Sequence, residues 1–263
     1  MDLMLKNKVA LVTAASRGLG YATARVLAQE GARIVMCSRD ADAINAAGDR
    51  LAAETGATVL PIPANVAHAE DVVRLVKQTM VRFGRIDALF INAGGPPTGR
   101  FVNFTPEDWD AAIQLTVQSA VRLCYAVVPV MREQGAGSIL ANTSVTVKHP
   151  LDNLMLSNSL RLAVVGLMKS LSLELGPDNI RVNAIAPGWT RTERVDEILR
   201  ARMEQNTTTM DEEATRIAAS VPLRRMADPA EFGRVAAFLL SPAASYITGI
   251  TLLVDGGMAK AVM

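Results

Sequence analysis

The chain has 263 residues, half of them hydrophobic, and its 27 Lys and Arg against 26 Asp and Glu give a formal net charge of +1. A net charge close to zero and the lack of a Lys/Arg run exclude the basic surface that binding to nucleic acid or an anionic membrane requires. Small molecules are therefore the expected partners. Two Cys and two His, widely spaced, predict neither a disulfide framework nor a metal site. Residues 1–8 lack the apolar core of a secretory signal, so we expect a cytoplasmic protein.

Short apolar runs alternate with segments of helical spacing from one end of the chain to the other. The predicted strands cover residues 8–13, 33–37, 58–62, 88–91, 138–142, 181–185 and 251–254. The predicted helices cover residues 19–30, 41–54, 70–83, 106–132, 154–175 and 230–239. Near-continuous apolar strands separated by helices are typical of a parallel sheet covered on both faces. We therefore expect an α/β fold in which residues 1–263 form a single doubly wound domain of the Rossmann type.

The segment 189–221 departs from this alternation. It follows Pro187-Gly188, is polar and helix-prone, and contains no obvious strand of its own. We predict that this segment is a mobile lid over the substrate, since such insertions commonly close over ligands. The alternative is an ordinary surface helix.

A glycine turn joins the first predicted strand to the first predicted helix. Folds of this type bind ligands beyond the carboxyl ends of their strands. A pyrophosphate bound there needs backbone N–H groups aimed at it and a helix N-terminus behind it, so the turn must have small residues where it approaches the ligand. Gly18 and Gly20 meet this requirement, which predicts a dinucleotide site.

The end of the second predicted strand indicates which dinucleotide binds. An acidic residue at this point accepts hydrogen bonds from a free ribose 2′-hydroxyl and repels a 2′-phosphate. This chain has Ser38-Arg39 there, and Arg39 and Arg17 can both hold a phosphate with a planar fork of donors, which favours NADP(H) over NAD(H). The alternatives are that Arg39 is a solvated residue opening the next helix and that Asp40 binds a ribose.

Further small and amide residues follow the later strands. Asn92-Ala93-Gly94 would let the chain pass close to a ribose, although Asn and Gly also favour turns by themselves. These patterns predict that Arg17, Gly18, Gly20, Ser38, Arg39, Asn92, Ala93 and Gly94 contact the cofactor.

Four motifs together resemble the short-chain dehydrogenase/reductase family over essentially the whole chain. They are residues 13–20, Asn92-Ala93-Gly94, Pro187-Gly188 and Asp255-Gly256-Gly257. The resemblance implies a dinucleotide-dependent oxidoreductase that acts on a ketone or an alcohol and assembles as a homotetramer. It also implies that the cofactor contacts Thr13, Ser16, Leu19, Asn65, Val66, Arg161, Pro187, Gly188, Thr190 and Thr192. Where the family's phosphate turn has its first glycine this chain has Ala14, so we expect a turn that needs no positive φ at that position.

The catalytic residues of the family are only partly present. The family combines a serine, a tyrosine and a lysine with an asparagine from the preceding helix. Ser144 matches the serine, but Ser157 occupies the tyrosine position thirteen residues on, Arg161 occupies the lysine position, and Thr116 occupies the asparagine position. A serine is shorter than a tyrosine and a weaker acid, and an arginine can hold ribose hydroxyls but does not release its proton at physiological pH.

The loop after the fifth predicted strand offers other proton donors. Lys148 is the first candidate, because burial and a nearby Arg161 would weaken its hold on a proton, and His149 is the second. The alternative is that both are exposed loop residues. Residues 146–148 with Ser157 and Arg161 also resemble a divergent branch of ketoacyl-carrier-protein-reductase-like proteins that lack the tyrosine and lysine.

Two functions are compatible with these residues. The first is an NADP(H)-dependent reduction of a ketone or a 3-oxoacyl group, in which Ser144 orients the carbonyl, Ser157 and Arg161 replace the usual pair, and Lys148 or a bound water supplies the proton. The second is a catalytically silent protein that binds NADP(H) and acts as a sensor or a subunit partner.

Overall fold

Seven parallel strands form one sheet at the centre of the molecule. The computed structural model describes residues 1–260, so positions 261–263 of the predicted domain lie outside the described residues. The strand order is β3-β2-β1-β4-β5-β6-β7. The strands are β1 (Val9–Val12), β2 (Arg33–Ser38), β3 (Val59–Pro63), β4 (Ala88–Ile91), β5 (Gly137–Asn142), β6 (Ile180–Pro187) and β7 (Thr251–Val254).

Helices connect successive strands and cover both faces of the sheet. They are α1 (Gly18–Gln29), α2 (Ala41–Thr55), α3 (Ala69–Phe83), α4 (Pro106–Ile113), α5 (Ser119–Gln134), α6 (Met155–Leu175), α7 (Glu193–Asn206), α8 (Met210–Ser220) and α9 (Pro229–Leu240). All six strand pairings are parallel. The predicted doubly wound Rossmann architecture is confirmed.

Alternate residues of each strand enter two separate cores. Leu11 and Val35 face the core that α3, α5 and α6 cover, whereas Val12 and Met36 face the core that α1, α2 and α9 cover. Every residue of β1 is buried, because a strand with helices on both sides has no solvent face. This burial explains why the inner strands read as unbroken apolar runs in the sequence.

The strand order reverses between β1 and β4. From β1 the chain proceeds outward to β2 and β3, then returns to the other side of β1 and continues to β7. The connections after β1 and β4 therefore leave the sheet in opposite directions and open a crevice at the carboxyl ends of these strands. This crevice is where a ligand is expected.

The predicted helix 106–132 is divided by one π-helical turn, Gln114–Gln118, between α4 and α5. Within residues 1–260, the stretch Pro106–Gln134 is the one helical segment long and apolar enough to cross a bilayer by length and composition. A core helix has the same character, and Leu123, Val127 and Met131 of this stretch are fully buried against the sheet.

The segment that the sequence singled out as a lid folds into α7 and α8. Its apolar residues do not join either main core. They form a separate cluster, which includes Trp189, Val195, Leu199 and Ile217. The segment therefore packs as its own layer beside the crevice.

Candidate functional site

The turn between β1 and α1 is tied to the end of β4 by a reciprocal pair of hydrogen bonds. Thr13 Oγ1 donates to the Asn92 carbonyl oxygen at 2.6 Å, and Asn92 N donates to Thr13 Oγ1 at 2.8 Å. Helix α1 begins at Gly18 and has no side-chain cap at Arg17. An uncapped helix N-terminus presents free N–H groups and favours an anion, so this end of α1 can receive a phosphate.

The expectation that Ala14 needs no positive φ is wrong. Ala14 has φ +47°, in the left-handed region that favours glycine. The turn is closely packed here, since a Cβ placed on Gly20 would overlap the Ala14 carbonyl oxygen. That oxygen also accepts a hydrogen bond from Asn92 Nδ2 at 3.3 Å. Alanine in this left-handed conformation costs about 1 kcal/mol.

Replacing Ala14 by glycine should stabilise the protein. The removal of Cβ relieves the left-handed strain, and the extra freedom of glycine in the unfolded chain offsets part of the gain, so we expect the free energy of unfolding to rise by about 0.5 kcal/mol. Urea unfolding measures this change. The control is Ala15→Gly at a fully buried neighbour without positive φ, which should lower stability. An Ala14→Gly protein less stable than wild type would contradict the strain.

The carboxyl ends of the strands open into one cleft of about 900 Å³. Of the residues predicted to contact a cofactor, all but two line this cleft. The two exceptions are Thr13, which is fully buried beneath Asn92, and Gly20, which packs beneath Ala14. Both act by shaping the turn rather than by facing the cleft.

The adenosine end of the cleft is formed by the residues that follow β2 and β3. Arg39 is exposed and lines the cleft, while the Asp40 carboxylate accepts from Ala43 N at 2.9 Å as the N-cap of α2. Asp40 therefore stabilises the start of α2. Asn65 lines the opposite wall, and its N–H donates to Asp71 at 2.8 Å, which lowers the pKa of that carboxyl.

Two buried polar atoms in the cleft wall have no hydrogen-bond partner among the described residues. They are Asn142 Oδ1 and Thr190 Oγ1, and both residues line the cleft. Native proteins pair nearly all such atoms with protein, water or a ligand. Their presence, together with the uncapped end of α1, fits a cleft that holds a polar ligand.

Ser144, Ser157 and Arg161 lie together at the inner end of the cleft. The four-residue spacing on α6 places Ser157 and Arg161 on one face of the helix. Arg161 Nε donates to Ser157 Oγ at 3.2 Å, and Arg161 Nη1 donates to the Asn142 carbonyl oxygen at 3.1 Å. Ser144, which follows β5, accepts from Thr146 N at 3.2 Å.

These contacts leave both serine hydroxyls free to donate. A guanidinium and a backbone N–H act only as donors, so the Ser157 and Ser144 oxygens accept and their protons remain available. Both residues line the cleft. The cleft wall therefore contains two hydroxyl groups that can donate a hydrogen bond.

Arg161 supplies a positive charge at the same place. Burial, and to a lesser extent the charge of Arg194, lowers the pKa of the Arg161 guanidinium to about 10, so it is still a cation at neutral pH. Its guanidinium makes no ion pair with a carboxylate in the part of the chain that the structure describes. The charge is thus free to stabilise a negative oxygen.

The expectation that Lys148 is buried near Arg161 is wrong. A short helical turn, Val145–Val147, buries its own three residues and leaves Lys148 exposed at its end. Neither Lys148 nor His149 lines the cleft. The structure therefore does not bring these two candidate donors to the serine pair.

Three charged residues of the cleft, Glu193, Arg194 and Glu197, were missed in the sequence. Arg194, in the first turn of α7, donates to the Pro96 carbonyl oxygen at 2.8 Å and pairs with Glu197 at 3.1 Å. The sequence showed that segment 189–221 is polar, but no motif indicated which of its charged side chains would line the cleft.

Neither cysteine has the character of a reactive thiol. Burial raises the pKa of the Cys37 and Cys124 thiols to about 12, so both are protonated at neutral pH. Residues 1–260 also contain no group of three or more His, Cys, Asp or Glu side chains that could hold a metal ion.

Comparison with known proteins identifies the fold and its motifs. Residues 13–259 match the profile of the family described as enoyl-(acyl carrier protein) reductase. Dehydrogenase/reductase SDR family member 4 of Sus scrofa is 39% identical over 260 residues, which cover 97% of this chain and 88% of that protein. Oxidoreductase UcpA of Salmonella typhimurium is 37% identical, with 96% and 95% of the two chains covered.

Solved structures agree with these sequence matches. The L-sorbose reductase of Gluconobacter frateurii, in a complex with NADPH and L-sorbose, superposes with a TM-score of 0.95 and 34% identity over the whole of both chains. The F189W actinorhodin polyketide ketoreductase with NADPH superposes with a TM-score of 0.93 and 30% identity, covering 97% and 98% of the two chains. Sequence matches and superpositions over nearly full length show that this chain belongs to the short-chain dehydrogenase/reductase family.

Proposed function

We propose that this protein is an NADP(H)-dependent oxidoreductase that reduces a ketone or a 3-oxoacyl group without a catalytic tyrosine. In this proposal two serine hydroxyls and the Arg161 cation stabilise the reacting oxygen, and water provides the proton. The arrangement of Ser144, Ser157 and Arg161 carries the proposal, because both serines accept from fixed donors and so donate into the cleft.

The chain's own residues fit NADP(H). The uncapped start of α1 at Gly18 suits the pyrophosphate, and exposed Arg39, with no carboxylate preceding it at Ser38, suits a 2′-phosphate. Thr190 Oγ1, buried without a partner in the cleft, suits a polar group of the cofactor. The L-sorbose reductase that shares the fold was solved with NADPH, which supports the same choice here.

The residues at the inner end of the cleft would polarise a carbonyl. NADPH held in the cleft would supply the hydride for the carbonyl carbon, and the carbonyl π electron pair would then reside on oxygen. Ser144 and Ser157 donate hydrogen bonds to that oxygen, and Arg161 lowers the energy of its growing negative charge. Each donor of this kind contributes about 10²–10³ to the rate in enzymes that use one.

The proton of the product alcohol comes from water in this proposal. The alkoxide oxygen takes a proton from a water molecule, and the hydroxide formed is released to solvent. Arg161 remains protonated throughout, since its pKa of about 10 lies above neutral pH. The serine hydroxyls keep their protons and serve only as donors.

Substitution of Lys148 by methionine should leave the turnover nearly unchanged. Lys148 is exposed and does not line the cleft, so its removal takes no donor from the reacting oxygen. A true general acid contributes about 10²–10⁴ to the rate. Measurement of kcat with one ketone therefore separates the two possibilities, and a hundredfold loss would assign the proton to Lys148.

A turnover assay with NADPH distinguishes this enzymatic function from that of a protein that binds the nucleotide without catalysis. The purified protein, mixed with NADPH and a panel of ketones and 3-oxoacyl thioesters, should lose the absorbance of reduced nicotinamide. Tight binding of NADPH without turnover on any member of the panel would favour the sensor or subunit role. The absence of the tyrosine and lysine is the observation that motivates this second candidate.

Three further expectations belong to the same proposal. We expect residues 189–221 to act as the substrate lid of a single cytoplasmic domain, because α7 borders the cleft. We also expect a homotetramer, which is supported by exposed apolar side chains on α5 and α6, namely Tyr125, Leu162 and Leu173. Light scattering that shows a monomer would overturn the homotetramer.

A further inference from the structure

One carboxylate on the lid lies between two guanidinium groups from different walls of the cleft. Glu197 Oε1 is 3.8 Å from Arg17 Nη2, which belongs to the phosphate turn. Glu197 Oε2 is 3.1 Å from Arg194 Nη1, and Arg194 Nη2 also donates to the Pro96 carbonyl oxygen at 2.8 Å. These three side chains connect the start of α1, the lid helix α7 and the loop after β4.

The first turn of α7 lies directly over the start of α1. A Cβ placed on Gly18 would be 3.7 Å from Glu193 Oε2 and 3.8 Å from Thr192 Cγ2. The N-terminus of α1 carries a partial positive charge and free N–H groups. Glu193, and Glu197 through its ion pair with Arg17, therefore bring negative charge to the same part of the cleft that suits a pyrophosphate.

A carboxylate and a pyrophosphate cannot share this place without repulsion. The ion pairs of Glu197 are weak, since all three side chains are more than a third exposed. A pyrophosphate carries more charge than one carboxylate and can also bind the N–H groups of α1. Both guanidiniums would gain by exchanging the carboxylate for the phosphates.

We propose that Glu197 is an internal anion that the cofactor's pyrophosphate displaces, and that Arg194 then binds the pyrophosphate together with Arg17, which leaves the 2′-phosphate to Arg39. Arg194 is thus a cofactor-binding residue on the lid helix α7. When its guanidinium exchanges Glu197 for the pyrophosphate, α7 moves with it. The inference rests on the proposed binding of NADP(H), and it adds a contact from α7 that the phosphate turn alone does not supply.

Equilibrium titration of nucleotide affinity tests the exchange without any turnover. Glu197→Gln removes the competing charge and should tighten NADPH binding about three- to tenfold, whereas Arg194→Gln should weaken it about tenfold. The control is Glu204→Gln, which removes the same charge about two turns further along α7, outside the residues that line the cleft. This control should leave the affinity unchanged.

Titration with a second ligand tests whether the changes in NADPH affinity arise at the pyrophosphate. 2′-AMP carries the adenosine and the 2′-phosphate but no pyrophosphate, so Glu197→Gln and Arg194→Gln should leave its affinity unchanged. Arg39→Met should weaken both ligands. Equal effects of the Arg194 variant on NADPH and 2′-AMP, or an unchanged or weakened NADPH affinity in Glu197→Gln, would overturn the exchange. A wild-type protein that binds neither ligand would instead overturn the proposed function itself, and the exchange with it.

Discussion

Replacement of Arg161 by methionine should lower kcat by about 10²–10³ with a ketone substrate. The variant loses the cation at the inner end of the cleft and the hydrogen bond that fixes the Ser157 hydroxyl as a donor. The fold should survive, because methionine keeps the long apolar stem and no buried carboxylate loses its partner. Steady-state kinetics measure the loss, and circular dichroism checks the fold.

Two related variants show which part of Arg161 matters. Ser157→Ala keeps the cation and removes one donor, so its loss should be smaller than that of Arg161→Met. Arg161→Lys keeps a charge but not the planar fork that reaches both Ser157 and Asn142, so its activity should fall between wild type and Arg161→Met. Full activity in Arg161→Met would show that the guanidinium takes no part in the reaction.

The pH dependence of kcat follows from the same residue. Burial lowers the pKa of Arg161 to about 10, so the cation is complete at neutral pH and is lost as the pH rises through that value. We expect kcat to be level around neutral pH and to fall above the pKa. Arg161→Met should lack this fall. A wild-type rate that increases with pH through this range would contradict the role of the cation.

Replacement of Arg39 by methionine should raise the KM for NADPH by about 10- to 100-fold and leave that for NADH unchanged. A charge-assisted hydrogen bond contributes about 1.5–3 kcal/mol, and only NADPH carries the 2′-phosphate that Arg39 is placed to meet. Asp40 cannot take over this contact, because a carboxylate repels a 2′-phosphate and this one caps α2.

The control for this substitution is Arg82→Met, which removes an exposed arginine from α3, outside the residues that line the cleft. It should leave both KM values unchanged. If Arg39→Met weakens NADPH and NADH equally, Arg39 holds a group that both nucleotides share, and the preference for NADP(H) must come from another residue.

The fold was predictable because buried parallel strands leave a clear pattern. The predicted strands 88–91 and 251–254 match β4 and β7 residue for residue, since each is a short apolar stretch that ends before a polar residue, Asn92 or Asp255. The division of helix 106–132 by the π turn Gln114–Gln118 was not predictable. A π turn changes the hydrogen-bond partner of a few residues without a characteristic composition.

The positions of the residues proposed to hold the cofactor were predictable for the same reason, whereas the surroundings of the proposed catalytic residues were not. Strand ends fix where Gly18, Arg39 and Asn92 lie, because all carboxyl ends of a parallel sheet share one edge. The short turn Val145–Val147 determines that the Lys148 side chain is exposed and outside the cleft. The packing of the separate α7 and α8 core determines that Arg194 lines the cleft. Neither leaves a periodic signal in the sequence.

Hydride transfer without a tyrosine is tested most directly by the product formed from NADPH that carries deuterium at the transferred position. The account predicts that mass spectrometry finds the alcohol with one deuterium on its carbinol carbon, formed by the wild-type protein and nearly absent with Arg161→Met. An alcohol without deuterium, or equal amounts of labelled alcohol from both proteins, would contradict it.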